Sequence, residues 1–301
     1  MDKVAIVILN YLNYLDTFEC VESLAIDQYP AKEIIIVDNG SINESRQRLE
    51  EKYAQCDGIH LLFSDKNEGF ARGNNIGIRY ATDVLGCSFV LLVNSDTIFK
   101  DPRMITVLME AYESGVGVIG PKILTADGHE QNPAKKNVIR SKWKQLWHYQ
   151  RRITKVQFKR TVFYQAIRKL NIFAKIRNKV RDNTVKPNKL ANIPITSLNL
   201  KLHGSCFLLT RDYFKFYPYL FSDTFLYFEE EILTILTYKA GLAKKFVPKT
   251  YIFHKEHMST QMSFQDKKDI RTGYFLQSIK LARKIYPMDY ESIVNRYFNK
   301  K

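Results

Sequence analysis

An alternation of short apolar runs with helix-period segments over the first 125 residues constrains this chain more than any other feature. Val4 to Leu9 is a continuous apolar run, the pattern of a strand buried in a parallel sheet. Phe18, Val21, Leu24 and Ala25 then share one face at helical spacing. Tyr29-Pro30 ends that helix, because proline cannot continue the ladder. Glu33 to Val37 is a second strand, stopped by the turn Asp38-Asn39-Gly40-Ser41. Ser41 or Asn43 caps a helix reaching about Tyr53. His60 to Phe63, Phe89 to Val93 and Val116 to Ile119 are three further strands, with helices over Ala71 to Thr82 and after Asp101-Pro102. This β-α-β-α order predicts an α/β fold with a mostly parallel sheet flanked by helices.

With 301 residues the chain has room for two domains, or for one large α/β domain carrying an insertion. A hydrophobic share of 45% against 26% charged excludes wholesale disorder. The longest apolar stretches, such as Phe89 to Val93, are too short to span a bilayer. Residues 1–10 lack the basic region and cleavage site of a secretory signal. Cys20, Cys56, Cys87 and Cys206 are scattered without a C-x-x-C pair, so a reducing cytosol is the expected compartment. Cys206 reads as a small buried apolar residue.

The charge is unevenly placed. Lys plus Arg less Asp plus Glu is 46 − 31 = +15, and residues 126–190 alone hold 18 basic and 3 acidic residues, again +15. The rest of the chain is neutral, which predicts a balanced catalytic or binding body with a basic attachment surface. Trp143, Trp147, Tyr149, Phe158, Phe163, Tyr164 and Phe173 are interleaved with those basic residues, as expected of one or two amphipathic helices. The α/β pattern resumes over Leu200 to Leu209, continues in a helix near Glu229 to Ala240, and adds strands at Lys245–Val247 and Tyr251–Phe253. The tail from Asp266 is expected to be helical up to Pro287.

Ligands of parallel sheets sit beyond the carboxyl ends of the strands, and the polar clusters of the first half lie there. Asn10-Tyr11 follows the first strand, Asp38 ends the second, and Asn94-Ser95-Asp96 ends the fourth. Asn67-Glu68-Gly69-Phe70-Ala71-Arg72-Gly73-Asn74-Asn75 is a glycine-containing turn into a helix, where backbone can approach a ligand closely. Convergent carboxylates, amides and an arginine suit a nucleotide with a metal-bridged diphosphate. No G-x-G-x-x-G follows the first strand and no G-x-x-x-x-G-K-[ST] is present.

The ordered set V-x-I-V-I-L-N-Y, I-I-V-D-N-G-S, N-E-G-F-A-R-G-N-N-I-G and L-L-V-N-S-D-T resembles the family-two glycosyltransferases of GT-A fold. Within them it resembles the bacterial branch of rhamnosyltransferases, galactofuranosyltransferases and capsular polysaccharide enzymes. H-G-S-C-F-L-L-T-R (203–211) and F-L-Y-F-E-E-E-I-L (225–233) fit the same branch. The resemblance implies a Rossmann-like nucleotide-sugar-binding half over 1–125, a basic aromatic helical insertion over 126–195, an acceptor and catalytic half over 196–260, and a helical tail over 261–301. It also implies roles. Asn10, Asp38, Arg72, Asn74, Asn94, Asp96 and Gly204 fall among the donor-binding positions. Asp96 is the last residue of a D-x-D-like motif that binds Mg²⁺ or Mn²⁺, a hard cation suited to oxygen ligands. Asn94 replaces the motif's first Asp. Glu230 matches the general base, with Glu229 beside it, and three glutamates in a row leave the register open by one. His254, in H-K-E-H-M-S, resembles an element that ligates the metal, although His257 stands where the family has glycine.

Blander roles compete: Asp38 can shape a turn, and the glutamates can favour a helix N-terminus. For the basic segment the preferred partner is an anionic membrane surface, since Trp and Tyr favour the interface and Lys/Arg favour anionic lipid. Arg151, Arg152, Lys159 and Arg160 are its expected surface cations. Nucleic acid is not expected, as no recognised binding motif is present. The combined reading is an inverting transferase that moves a sugar from a UDP- or dTDP-sugar to a hydroxyl of a lipid-linked surface glycan. It works in the cytoplasm, peripherally on the inner face of the plasma membrane. The alternatives are a non-catalytic glycosyltransferase-like partner subunit and a basic nucleic-acid-binding protein.

Overall fold

The computed structural model describes residues 1–136, 138–159, 195–256 and 268–299. The first half contains β1 (Val4–Asn10), α1 (Tyr14–Leu24), β2 (Lys32–Asp38), α2 (Ser45–Tyr53), β3 (Ile59–Phe63), α3 (Gly69–Arg79), β4 (Phe89–Asn94), β5 (Thr97–Phe99), α4 (Met104–Glu110) and β6 (Val116–Thr125). There follow β7 (Lys135–Lys136), α5 (Lys142–Lys159), β8 (Ile195–Ser197), β9 (Leu200–Lys201), β10 (Cys206–Leu209) and a short α6 (Arg211–Phe214). Helix α7 (Glu229–Lys239), β11 (Ala243–His254), α8 (Lys268–Ile285) and α9 (Tyr290–Tyr297) complete it.

The main sheet has the order β3-β2-β1-β4-β10-β6-β11-β5, with β8 also paired to β11. β1 to β4 are mutually parallel, and β10 lies antiparallel to both β4 and β6. β6 and β11 therefore run in the direction of β1, and only β10, β5 and β8 oppose it. The expected α/β fold with a mostly parallel sheet is what forms.

Side chains on a strand alternate between faces, and the apolar runs fill both. Ala5, Val7, Ile35, Val37, Val90 and Leu92 pack on one side. Val4, Ile6, Ile8, Ile36, Leu91 and Val93 pack on the other against α1 and α4. Helices cover both faces, which is why these strands read as continuous apolar runs rather than alternating ones. Cys206 is fully buried.

Several elements differ from the expected ones. The strand at Val116 runs on to Thr125. Leu200 to Leu209 is broken by the turn His203-Gly204-Ser205 into β9 and β10. The two short strands after Lys245 are one, β11, whose register shifts between Val247 and Tyr251. Pro248 lies in that interval and has no N–H to give the ladder. The tail forms a second helix beyond Pro287, α9, started by Asp289 accepting from the Ser292 N–H at 2.7 Å.

The expected amphipathic helix is α5. Its Tyr149 and Ile153 are buried in the core shared with Phe228 and Tyr286. Arg160, Phe163, Tyr164, Phe173 and His257, and the side chain of Lys159, lie outside the described residues.

Candidate active site

The parallel register brings the strand ends level: Asn10 pairs with Asp38, and Leu9 with Asn94. Asn10 Nδ2 donates to Asp38 Oδ2 at 2.6 Å, and the Ser41 N–H donates to Asp38 Oδ1 at 2.9 Å. Thr17 Oγ1 donates to Asn10 Oδ1 at 2.9 Å. Asn10 and Asp38 are buried, so this pair fixes the loops above β1 and β2 and shapes the floor of that end of the sheet.

Beyond β4 the chain turns through Ser95 and Asp96 into β5, whose antiparallel pairing sets His254 opposite Thr97. The Lys255 N–H also holds the Asp96 carbonyl at 2.9 Å. Asp96 is 3% exposed, and its Oδ1 is enclosed with no hydrogen-bond donor among the described residues. His254 Nε2 lies 3.3 Å from that oxygen, without hydrogen-bond alignment. His254 Nδ1 meets Gln131 Oε1 at 2.8 Å, and Gln131 Nε2 in turn bonds Glu256. A carbonyl oxygen can only accept, so Nδ1 carries a proton, and in the neutral ring Nε2 presents its lone pair. A bare imidazole nitrogen and a bare carboxylate oxygen thus face each other in an enclosed site. That pair, with the second ring nitrogen tied back, could supply two ligands to a divalent cation; among the described residues no group of three or more His, Cys, Asp or Glu gathers to hold one.

The same cleft takes in the three glutamates at the start of α7 and gives each a different surrounding. Tyr227 and Phe228 enter the helix at φ 73° and 74°, a left-handed conformation costly for bulky residues. Ser278 Oγ on the Leu226 carbonyl at 3.0 Å and Phe275 against Tyr227 and Phe228 hold them there. Glu231 borders the cleft on the α5 side, with Arg152 Nη1 at 3.8 Å. Glu230 accepts from the Gly204 N–H at 3.2 Å, with Lys201 Nζ 4.0 Å away. Glu229 Oε1 is enclosed with no hydrogen-bond partner among the described residues, and burial pushes the carboxyl up to about 8, with the charge of Glu230 adding to the rise. Backbone N–H donors partly offset that rise.

Asn94, Asp96, Gly204, Glu229, Glu230 and His254 line one cleft of about 780 Å³. Asn10 and Asp38 lie beside it at the adjoining strand ends. Arg72 and Asn74 are elsewhere. Arg72 is half-exposed in a separate groove, with Nε donating to the Ser222 carbonyl at 2.7 Å. Asn74 turns inward onto the Phe70 carbonyl at 2.9 Å. The N-E-G-F-A-R-G-N-N segment packs on the 220s chain, and its Phe70 lines the cleft. Asn75 exchanges two 2.8 Å bonds with the Leu220 backbone, and the Phe70 N–H donates to the Phe225 carbonyl. A Cβ on Gly69 would meet that carbonyl oxygen at 2.2 Å.

The cleft also contains residues that motif reading misses, Gln131, His148, Arg152 and Lys201, and His203 from the H-G-S-C-F motif, to which the resemblance assigns no role. Burial holds the His203 imidazole below the usual histidine range, with the Glu230 charge opposing. Arg152, expected as a surface cation, is a cleft residue instead, stacked over Phe228 and Phe275 beside Glu231. Only spacing along α5 hints at this: Arg152 follows His148 by one turn on the flank of the buried Tyr149–Ile153 stripe.

Comparison with known proteins gives the family. Residues 4–215 match the family described as Glycosyl transferase family 2. The chain belongs to that family. It is 25% identical over 232 residues to the "Low-salt glycan biosynthesis hexosyltransferase Agl10" of Haloferax volcanii, covering 76% of this chain and 60% of that protein. The glycosyltransferase GlyG of Streptococcus pneumoniae is 29% identical over 117 residues, covering 39% of this chain and 37% of GlyG. The dTDP-rhamnosyl transferase RfbF of Shigella flexneri is 26% identical over 112 residues, 36% of either chain. The matches thus span less than two thirds of these family members. The crystal structure of S. aureus TarS 1–349 has the same fold, with a TM-score of 0.50 at 13% identity over 98% of this chain and 74% of that one.

Proposed function

We propose that the cleft transfers a sugar from a UDP- or dTDP-sugar to an acceptor hydroxyl, with inversion at the anomeric carbon. The observation that carries this reading is what one cleft brings together. The Asp96–His254 pair and Glu230, aimed by the Gly204 N–H, line it in common. Asp96 and His254 would hold Mg²⁺ or Mn²⁺, with the remaining ligands drawn from the donor diphosphate and water. A bound ion of this kind neutralises the charge that grows on a departing diphosphate. Glu230 accepts the acceptor's hydroxyl proton as that oxygen bonds to the anomeric carbon. The bond to the diphosphate breaks with its electron pair leaving on the phosphate oxygen. Attack opposite the leaving group inverts the centre.

The acceptor in this reading is a lipid-linked saccharide, and the enzyme acts peripherally at the inner face of the plasma membrane. Among the described residues no helix is long and apolar enough to cross a membrane. The relatives' names, a glycan hexosyltransferase and a dTDP-rhamnosyl transferase, support a nucleotide-sugar donor. The test is incubation with a set of nucleotide sugars and a polyprenyl-diphosphate-linked saccharide, with the product's anomeric configuration read by NMR. An inverted linkage is expected. A retained one, or no nucleoside diphosphate release from any donor, overturns the proposal.

A further inference from the structure

Helix α5 presents three different faces. Tyr149 and Ile153 enter the core, and His148 and Arg152 line the cleft. Trp143 and Trp147, one turn apart, project on the remaining side at 78% and 64% exposure. Arg151 lies over the Trp147 ring at 5.4 Å, and Lys144 and Lys155 are exposed on the adjoining arc. At about 100° per residue, Trp143, Trp147 and Arg151 span about 80° of arc, opposite the buried stripe. Residues 142–159 contain no Asp or Glu at all. Two exposed indoles within a band of cations, on a helix without a single acidic residue, have the composition of an interfacial helix.

We propose that this face of α5 docks on an anionic lipid surface and sets the mouth of the cleft against it. Indole rings favour the headgroup level, and Lys and Arg beside them are attracted by anionic headgroups. The cleft-lining pair His148 and Arg152 sits on the next arc of the same helix, so a docked helix brings cleft and lipid into one boundary. The consequence for catalysis rests on the sugar-transfer reading: a membrane-borne acceptor reaches Glu230 past α5 without leaving the surface.

The experiment is co-sedimentation of the full chain with vesicles of phosphatidylcholine alone and of phosphatidylcholine with phosphatidylglycerol, across a salt series. Each preparation is also assayed for transfer to a water-soluble acceptor. Binding is expected only to the anionic vesicles. The double variant Lys144→Gln/Arg151→Gln should weaken it about 30-fold at low salt. Trp143→Ala/Trp147→Ala should remove the part that survives high salt, about tenfold or more, since apolar insertion is not screened. None of these four residues lines the cleft, so transfer to the soluble acceptor should be unchanged. Equal retention on neutral vesicles, unaltered binding by the tryptophan variant, or preference for single-stranded RNA over anionic vesicles overturns the docking proposal. Vesicle binding without any transfer activity leaves docking standing and sinks the transferase reading instead.

Discussion

Three adjacent carboxylates border the same cleft and would repel one another if all were charged and unpaired, and the fold gives each a different environment. Glu231 pairs toward Arg152, Glu230 takes the Gly204 N–H, and Glu229 keeps its proton. Glutamine copies a protonated Glu229 but cannot accept a proton in place of Glu230. Glu230→Gln should therefore lower turnover by about 10²–10⁴-fold with donor affinity kept, whereas Glu229→Gln should stay within a few-fold of wild type at neutral pH. The reverse pattern in steady-state kinetics would move the base to Glu229. Glu229 also links stability to pH. Its carboxyl is raised from 4.5 to about 8 in the folded chain, so the folded state holds a proton that the unfolded state releases. That contribution is complete below about pH 4.5, declines as pH rises to about 8, and is flat above. The melting temperature of Glu229→Gln relative to wild type should accordingly climb between about pH 5 and pH 8; a constant difference would contradict the assignment. At Gly204 an added Cβ would lie 3.1 Å from Glu230 Oε1. Gly204→Ala should displace that carboxylate and cut kcat about tenfold or more, with donor Kd unchanged by calorimetry.

Helix α3 and the 220–228 segment act as one unit, because the helix clamps the chain that leads into α7. Asn75→Ala would strip partners from both the N–H and the C=O of Leu220 in a buried setting. Thermal unfolding should show a loss of about 2–4 kcal/mol, and kcat should fall more than donor affinity, since the damage reaches α7 before the strand ends. Equal loss in donor affinity would instead make α3 a donor-binding element. How far this was legible depends on distance along the chain. The first four strands are readable because apolar runs and turn residues are local signals, and Asn10, Asp38, Asn94 and Asp96 each mark a strand end. β5 is not, being three residues long and defined by its partner β11. β11 itself is hidden by Pro248, which reads as a break although the strand continues through a register shift. The inward turn of Asn75 and the outward reach of Arg72 depend on the 220s loop, about 145 residues away, which no local pattern reports.

In the whole molecule, one sheet joins two halves whose chemistry differs. The parallel strands supply Asn94 and Asp96, and β10 inserts antiparallel between β4 and β6, so that Gly204, just before it, reaches the same cleft. α5 and α8 close the cleft from segments whose sequence carries no motif, which is why Arg152, His148 and Phe275 escape a motif search while Glu230 and His254 do not. The claim that depends on all of these parts at once is that Asp96 anchors a metal-bridged nucleotide sugar. Its carboxylate Oδ1 makes no hydrogen bond among the described residues, so Asp96→Ala should leave the melting temperature of the free chain nearly unchanged. The direct measurement is calorimetric titration of UDP- and dTDP-sugars into wild type and Asp96→Ala, each with Mn²⁺ and with chelator. One donor should bind wild type at least about tenfold more tightly with Mn²⁺, and Asp96→Ala should lose this difference. Donor binding by Asp96→Ala with wild-type affinity and undiminished Mn²⁺ dependence would contradict it.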